Sequence, residues 1–314
     1  MPTVIPFAGY GTTSWVRVLG RVVLRRPGSR ADNVAGLRGW RSFVSIPVSG
    51  AAVEITIDGH RTTVAADRGG VLDAAIPATL GPGWRAVTLG IAGAGSSTAE
   101  VEAAVFIVDD AVRFGILSDV DDTVMVTTLP RPLLAAWNTF VVDEHARRPV
   151  AGMAVLYTRL RQEHPGSPVI YLSTGAWNVV PTLTRFLGRN VYPRGALLLT
   201  DWGPTPDRFF RSGPAHKASS LERLAREFPH ISWLLIGDDG QHDEQIYRDF
   251  AAAHPKNVTA VAIRRLTPGE AVLAGGRSGG ADDRPEGVPW IYADDGAGLI
   301  EQLQELGILA FENA

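Results

Sequence analysis

The sequence predicts an α/β fold in which a parallel sheet carries helices on both faces, preceded by a small all-β region of sandwich-like character. Three observations support this. The first third breaks into short, often alternating segments separated by turn-forming residues. From about residue 111, near-continuous apolar runs alternate with helix-like stretches, the pattern of parallel strands buried on both sides. Apolar residues make up 45% of the 314, enough to bury a sizeable core. The change of rhythm predicts two domains, 1–110 and 111–314.

In the first part the strand candidates are Val16–Leu24, Arg41–Pro47, Ala52–Ile57, Arg61–Ala65, Arg85–Ile91 and Glu100–Ile107. Pro27-Gly28, Asp58-Gly59, Arg68-Gly69-Gly70 and the run 92–97 separate them, and residues 28–38 read as a loop. Asp58-Gly59 between two alternating runs is a hairpin signal. In the second part the strands are Arg113–Ser118, Pro168–Ser173, Gly195–Thr200, Ile231–Ile236, Val258–Ile263 and Trp290–Tyr292. Helices are expected around 150–163, 177–188, 216–227, 243–253 and 295–306. The glycine-rich stretch Ala274–Asp283 reads as a mobile loop.

Composition excludes several functions. With no cysteine there are no disulfides, thiolate zinc sites or cysteine nucleophiles. A net charge of −3 without a basic stripe argues against nucleic acid as a partner. The N-terminus lacks a basic segment followed by an apolar run, so no signal peptide is expected. No stretch approaches the ~20 apolar residues of a transmembrane helix. The expectation is a cytoplasmic protein, at most peripheral to a membrane.

In an open parallel sheet, ligands gather beyond the C-terminal ends of the strands. The first such strand ends in Ser118-Asp119-Val120-Asp121-Asp122-Thr123, where residues two apart in extended chain point the same way. The second ends in Ser173-Thr174-Gly175, and the fourth in Gly237-Asp238-Asp239-Gly240-Gln241-His242-Asp243. Before the fourth comes His216-Lys217 at a helix start; Lys217 is one of only two lysines, with Lys256. Phosphoryl transfer needs a nucleophile, an acid for the leaving oxygen, a cation and donors around the phosphoryl oxygens. Hard magnesium takes oxygen ligands, which carboxylates supply. Each requirement has a candidate at a strand end.

The residues have blander readings too. Asp119–Thr123 could open a calcium loop of EF-hand type, but that scheme wants Gly at its sixth position and Glu at its twelfth, where Val124 and Pro130 stand. Ser173 and Thr174 could cap the next helix, and Gly237–Gly240 could be a plain turn. His145, His216 and His242 lack zinc-site spacing. Trp137, Trp177 and Trp202 read as core or as pocket lining. Arg208 and Arg211 read as solvated, or as a grip on an anionic head group.

Taken in order, Asp-x-Asp-x-Thr, a serine after the next strand, a lysine and Gly-Asp-x-x-x-x-Asp resemble the four signature motifs of the haloacid dehalogenase superfamily, over about residues 111–310. More narrowly, Tyr10–Thr13, Ser118–Thr123, Tyr171–Asn178, Asp201–Gly203 and Ile236–Asp243 resemble the family of the fungal actin-patch phosphatidate phosphatase catalytic domain and its bacterial relatives. One departure stands out: where relatives often show Ser-x-Ser-Pro-Trp, this chain has Ser173-Thr-Gly-Ala-Trp177.

The resemblance implies a Rossmannoid phosphatase domain over 111–314 with a small cap insertion around 124–167, in which apolar Leu133–Val142 is a candidate helix facing the site. It implies Mg2+ and the following roles. Asp119 is nucleophile and metal ligand. Asp121 is acid and then base, and its backbone carbonyl is a further candidate for the metal. Thr123 braces the loop, Ser173 and the backbone of Thr174 hold the phosphoryl oxygens, and Lys217 steadies the nucleophile and the phosphoryl charge. Asp238 binds the metal directly, with Asp239 or Asp243 acting through water. The substrate class is a phosphomonoester, phosphatidate at a membrane surface in the narrower reading. The alternatives are a phosphatase or phosphotransferase for a small soluble ester, and a catalytically silent lipid- or partner-binding protein.

Overall fold

The computed structural model describes residues 1–25, 46–93, 100–126, 148–200, 213–240, 242–277 and 285–311. The chain forms two compact units. One comprises Met1–Ala111, Gly175–Leu183 and Gly195–Arg211; the other comprises Val112–Thr174, Thr184–Arg194 and Ser212–Ala314.

The first unit contains β1 (Pro2–Thr12), β2 (Trp15–Leu24), β3 (Ala52–Ile57), β4 (His60–Ala65), β5 (Val71–Pro77), β6 (Gly83–Ile91) and β7 (Val101–Val108). They form one seven-stranded sheet in the order β4-β3-β6-β7-β1-β2-β5. Neighbours are antiparallel apart from β1 and β7, which run parallel. Alternation sets the inner face: Val53, Ile55 and Ile57 of β3 are buried while Glu54 and Thr56 between them are partly exposed. Val4, Val18, Ile55, Leu72, Leu89 and Val105 belong to a single core. Strands near both ends of the sheet therefore share one interior. The all-β expectation is met, with one continuous sheet and a single core where two packed sheets were expected. Asp58 and Gly59, both at positive φ, close the β3–β4 hairpin as the primed turns require.

Two strands of this sheet were not anticipated. β1 carries Pro2, Pro6, Gly9 and Gly11 and bulges against β2 between Phe7 and Tyr10, which hides its alternation. β5 places Asp73 among small residues, and its pairing with β2 decides its conformation. Of the expected strand Arg41–Pro47, residues 41–45 lie outside the described residues, and Pro47 bridges Val23. Residues 28–38 and most of the run 92–97 also lie outside them.

The parallel sheet contains β8 (Phe114–Asp119), β11 (Val169–Ala176), β12 (Ala196–Thr200), β13 (Ser232–Asp238), β14 (Val258–Arg264) and β15 (Trp290–Ala293), in the order β12-β11-β8-β13-β14-β15. Between β8 and β11, the two-residue strands β9 (Met125–Val126) and β10 (Arg148–Pro149) pair antiparallel. Within the second unit β8 lies between β11 and β13, each parallel to it. The helices are α1 (Met153–Glu163), α2 (Val180–Arg189, entered through the 3-10 turn Trp177–Val179), α3 (Gly213–Glu227), α4 (Asp243–Ala253), α5 (Pro268–Leu273) and α6 (Gly296–Glu305). Ile116, Leu117, Leu234, Leu235, Ile236, Val261, Ala262 and Ile263 are fully buried in consecutive runs, as expected of strands covered on both faces. Each predicted strand of this part, and each helix expected around 150–163, 177–188, 216–227, 243–253 and 295–306, has its counterpart within a few residues. The short α5 was not anticipated; Thr267 and Glu270 form its capping box. Among the described residues no helix is long and apolar enough to cross a membrane.

The insertion expected around 124–167 contains β9, β10 and α1. Residues 127–147, including Leu133–Val142, Trp137 and His145, lie outside the described residues, as do Asp201–Gly203, Trp202, Arg208, Arg211 and residues 278–284 of the glycine-rich stretch.

Candidate active site

The site is built where β8 and β13 end. β8 is buried from Gly115 onward, so its last residue, Asp119, reaches the rim already desolvated. The chain then turns tightly. The amides of Val124 and Met125 donate to the Val120 carbonyl (3.0 and 3.2 Å), the Asp122 amide donates to the Met125 carbonyl (2.8 Å), and Asp122 adopts φ 62°. Asparagine and aspartate tolerate that left-handed conformation better than other side-chain-bearing residues.

Lys217, on the first turns of α3, is buried and donates to Asp119 Oδ1 and Asp243 Oδ1, both at 2.5 Å. α3 can start this close to β11 because Gly213 has no side chain: a Cβ there would sit 2.6 Å from Thr174 Cγ2. Asp243 opens α4. Its carboxylate reaches the strand end over Gly237, where a Cβ would lie 2.7 Å from Asp243 Oδ2 and 2.8 Å from the Tyr247 ring. Carboxylate oxygens of Asp119, Asp238 and Asp243 lie within 4.8 Å of one another, all three residues buried. Asp238 Oδ1 accepts from the Gly240 amide (2.7 Å), which fixes the turn after β13.

The charge balance is lopsided: three buried carboxylates face one ammonium. Burial, then the Asp243 carboxylate, push the Asp119 carboxyl well above the usual aspartate range, and Lys217 opposes them. For Lys217 burial acts downward, but Asp119 and Asp243 outweigh it and hold the ammonium above its ordinary range. Asp119 Oδ2 and Asp243 Oδ2 are buried with no protein hydrogen-bond partner among the described residues. An all-oxygen donor set with excess negative charge and two orphaned carboxylate oxygens fits a hard divalent cation such as Mg2+.

Asp121 is partly buried and its Oδ2 accepts from Ser173 Oγ at 3.1 Å, so the second strand end contacts the second aspartate directly. Thr174 is partly buried beside Ser173. Neither caps a helix: the turn after β11 starts beyond Ala176, without a side-chain cap. The Thr123 hydroxyl is buried without a protein partner among the described residues, so the structure gives it no bracing hydrogen bond.

Asp239 faces elsewhere. Its carboxylate accepts from the Leu266 amide (2.8 Å) and pairs with Arg277 (3.2 Å), and burial holds its carboxyl above the usual range. The carboxylate cluster thus contains Asp243 and not Asp239. His216 is half-buried near the start of α3, and His242 is exposed before α4. Trp177 is buried and stacks on Phe7 (5.5 Å between ring centroids), in keeping with core.

Residues 114–265 match the sequence model of the family described as phosphatidate phosphatase APP1, catalytic domain. This stretch resembles a phosphatase catalytic domain. An uncharacterized protein of Schizosaccharomyces pombe is 30% identical over 164 residues, covering 49% of this chain and 26% of that protein. Phosphatidate phosphatase APP1 of Saccharomyces cerevisiae is 24% identical over 153 residues, covering 48% of this chain and 25% of that protein. The matched segment thus spans about a quarter of each curated relative. Among solved structures, the HAD domain of effector protein Lem4 from Legionella pneumophila is similar at 14% identity and a TM-score of 0.34, covering 52% of this chain and 91% of that one.

The APP1-like stretch contains Asp119, Asp121, Ser173, Lys217, Asp238 and Asp243, and also two residues absent from the sequence reading. Arg264 is buried at the end of β14 and donates to the Asp122 carbonyl (2.7 Å); the Tyr192 hydroxyl donates to the Val124 carbonyl (2.8 Å). An arginine following the apolar run Ala260–Ile263 was a readable signal, since buried arginines are rare unless paired. Tyr192 gave none.

Proposed function

We propose that the α/β part of this chain is a Mg2+-dependent phosphomonoester hydrolase that works through an aspartyl-phosphate on Asp119, with phosphatidate as its preferred substrate. The observation that carries this reading is the buried Asp119–Lys217–Asp243 pairing within a three-carboxylate cluster at the C-terminal ends of parallel strands.

Asp119 Oδ2 attacks phosphorus while Oδ1 stays bonded to Lys217. Asp121 gives a proton to the departing alkoxide and then takes one from the water that cleaves the acyl phosphate, releasing inorganic phosphate and restoring Asp119. Ser173 Oγ, now on Asp121, turns to a phosphoryl oxygen beside the Thr174 amide. Asp119, Asp238 and Asp243, with the Asp121 carbonyl, would hold the cation; when bound, magnesium neutralises charge on the transferring phosphoryl group. Lys217 opposes the burial and carboxylate repulsion that favour the protonated form of Asp119, and adds a second fixed positive charge. Phosphatidate is favoured because the matching family carries that activity in its description. A silent binding role is disfavoured by a buried charge cluster with the nucleophile, ammonium and cation-ligand geometry of phosphoryl transfer.

The test is phosphate release across phosphatidate in mixed micelles, lysophosphatidate, sugar phosphates, nucleotides and an aryl phosphate, each with Mg2+ and with EDTA. Highest kcat/KM on phosphatidate, lost in EDTA, is expected. Turnover that persists in EDTA sinks the mechanism. Preference for a small soluble ester removes phosphatidate and leaves the hydrolase, and transfer to an added alcohol in place of water redefines it as a phosphotransferase.

A further inference from the structure

We infer that Arg264 and Tyr192 are positioning residues for the proton transfer at Asp121, acting through the backbone of the loop that carries it; this rests on the reading of Asp121 as the acid for the leaving oxygen. The loop 119–125 makes its internal hydrogen bonds through the amides of Asp122, Val124 and Met125. The carbonyls of Asp122 and Val124 are gripped from outside the loop. Arg264 Nη1 takes Asp122 O at 2.7 Å, and the Tyr192 hydroxyl takes Val124 O at 2.8 Å, shared with the Val150 amide at 3.1 Å.

Both grips are rigid. Arg264 is 5% exposed, and its second terminal nitrogen makes a fork to Glu270 (2.8 and 2.9 Å) while Nε reaches the Asp294 carbonyl (3.3 Å). Glu270 in turn accepts from the Thr267 amide (2.8 Å) in the α5 capping box. Arg264 is also in register with Asp238 on β13, so one level of the sheet fixes both the carboxylate cluster and the acid's loop. Tyr192 is buried, packed edge-on against Tyr157 and stacked on Phe186, and its amide closes the end of α2 on the Leu187 carbonyl (2.9 Å).

The geometry needs both. Asp121 immediately precedes Asp122, whose left-handed φ turns the chain. The Asp122 carbonyl lies in the peptide after Asp122; releasing it loosens the turn that Asp122 N–H closes on Met125, and relaxation of that turn shifts the Asp121 carboxylate relative to Ser173. A lysine keeps the charge of Arg264 but cannot hold the Glu270 fork and the carbonyl together. A phenylalanine at 192 keeps the ring packing and loses one hydrogen bond.

The experiment measures kcat/KM with Mg2+ for p-nitrophenyl phosphate, whose leaving group departs with little help, and for an alkyl phosphate, whose leaving group needs a proton. Wild type, Asp121→Asn, Arg264→Lys and Tyr192→Phe are compared after their melting temperatures are recorded. Arg264→Lys is expected to lose roughly 100-fold on the alkyl ester and under about 10-fold on the aryl ester. Tyr192→Phe follows the same selectivity at a smaller size. Equal losses on both esters in folded variants, with Asp121→Asn selective, overturn the positioning role. An unselective Asp121→Asn overturns the underlying reading of Asp121 instead. If Arg264→Lys fails to fold, Tyr192→Phe decides by the same criterion.

Discussion

Among the described residues of 1–111, Thr12 is the single buried polar side chain apart from tyrosine, and the rest of that interior is valine, isoleucine, leucine, alanine and phenylalanine. The end of the parallel sheet, by contrast, buries Asp119, Ser173, Lys217, Asp238, Asp243 and Arg264. Burying apolar surface stabilises at roughly 25 cal/mol per Å2. Burying charge costs several kcal/mol per ion unless it is paired. The first region is therefore organised for packing, and the second tolerates a charge excess that packing alone does not explain. Residues of the first kind should move stability, and those of the second activity.

The sharpest test of that contrast is Asp119→Asn. It should lower kcat by at least about 10³-fold, read by phosphate release. Its melting temperature should be no lower than wild type without metal, because one of the clashing carboxylates has gone. A variant that unfolds, or one that keeps its rate, breaks the contrast.

Ile55→Ala probes the other side. Ile55 is fully buried in β3, so truncation should cost about 2–5 kcal/mol in urea unfolding. kcat/KM of the folded fraction should stay at the wild-type value, and a lowered value would show that the packed sheet shapes the chemistry.

Mg2+ added to chelated protein should stabilise it by about 2.7 kcal/mol at a hundredfold excess over Kd. The pH dependence has a definite sign. A carboxyl whose folded pKa is raised, as at Asp119, destabilises the fold once pH exceeds its unfolded value and the group is forced to ionise. Bound cation relieves that repulsion, and protons compete with it as pH falls. The gain in melting temperature should therefore be larger at pH 8 than at pH 5, and a gain independent of pH would place the cation elsewhere.

The smallest expected effect is a gain. Val191 follows α2 at φ 63°, a β-branched residue in the left-handed region, and is 73% exposed. Val191→Gly relieves strain of about 1–2 kcal/mol and gives back part through unfolded-state entropy. Net stabilisation of about 0.5–1 kcal/mol should appear in urea unfolding.

What could be read in advance follows from which interactions set each feature. The parallel strands were legible because burial on both faces writes long apolar runs such as Leu234-Leu235-Ile236 into the chain. β1 and β5 were not, because proline, glycine and partner strands decide their conformation. The candidate carboxylates were visible as short motifs at strand ends. Choosing between Asp239 and Asp243 was beyond the sequence, since it depends on which side of one turn each carboxylate takes: toward Leu266 and Arg277, or toward Lys217. The Arg264 and Tyr192 contacts end on backbone carbonyls, which any residue supplies, so no pairing of side-chain types could announce them.

The two-residue ribbon of β9 and β10 has one more consequence. Val126 and Arg148 are paired neighbours, so positions well apart in sequence are fixed side by side. The entropy cost of closing such a contact grows only with the logarithm of the sequence separation, about 0.6 kcal/mol per doubling. The cost of holding Val126 beside Arg148 therefore depends only weakly on how many residues separate them, and the turn carrying Asp119 and Asp121, which comes before this ribbon, has its own hydrogen bonds.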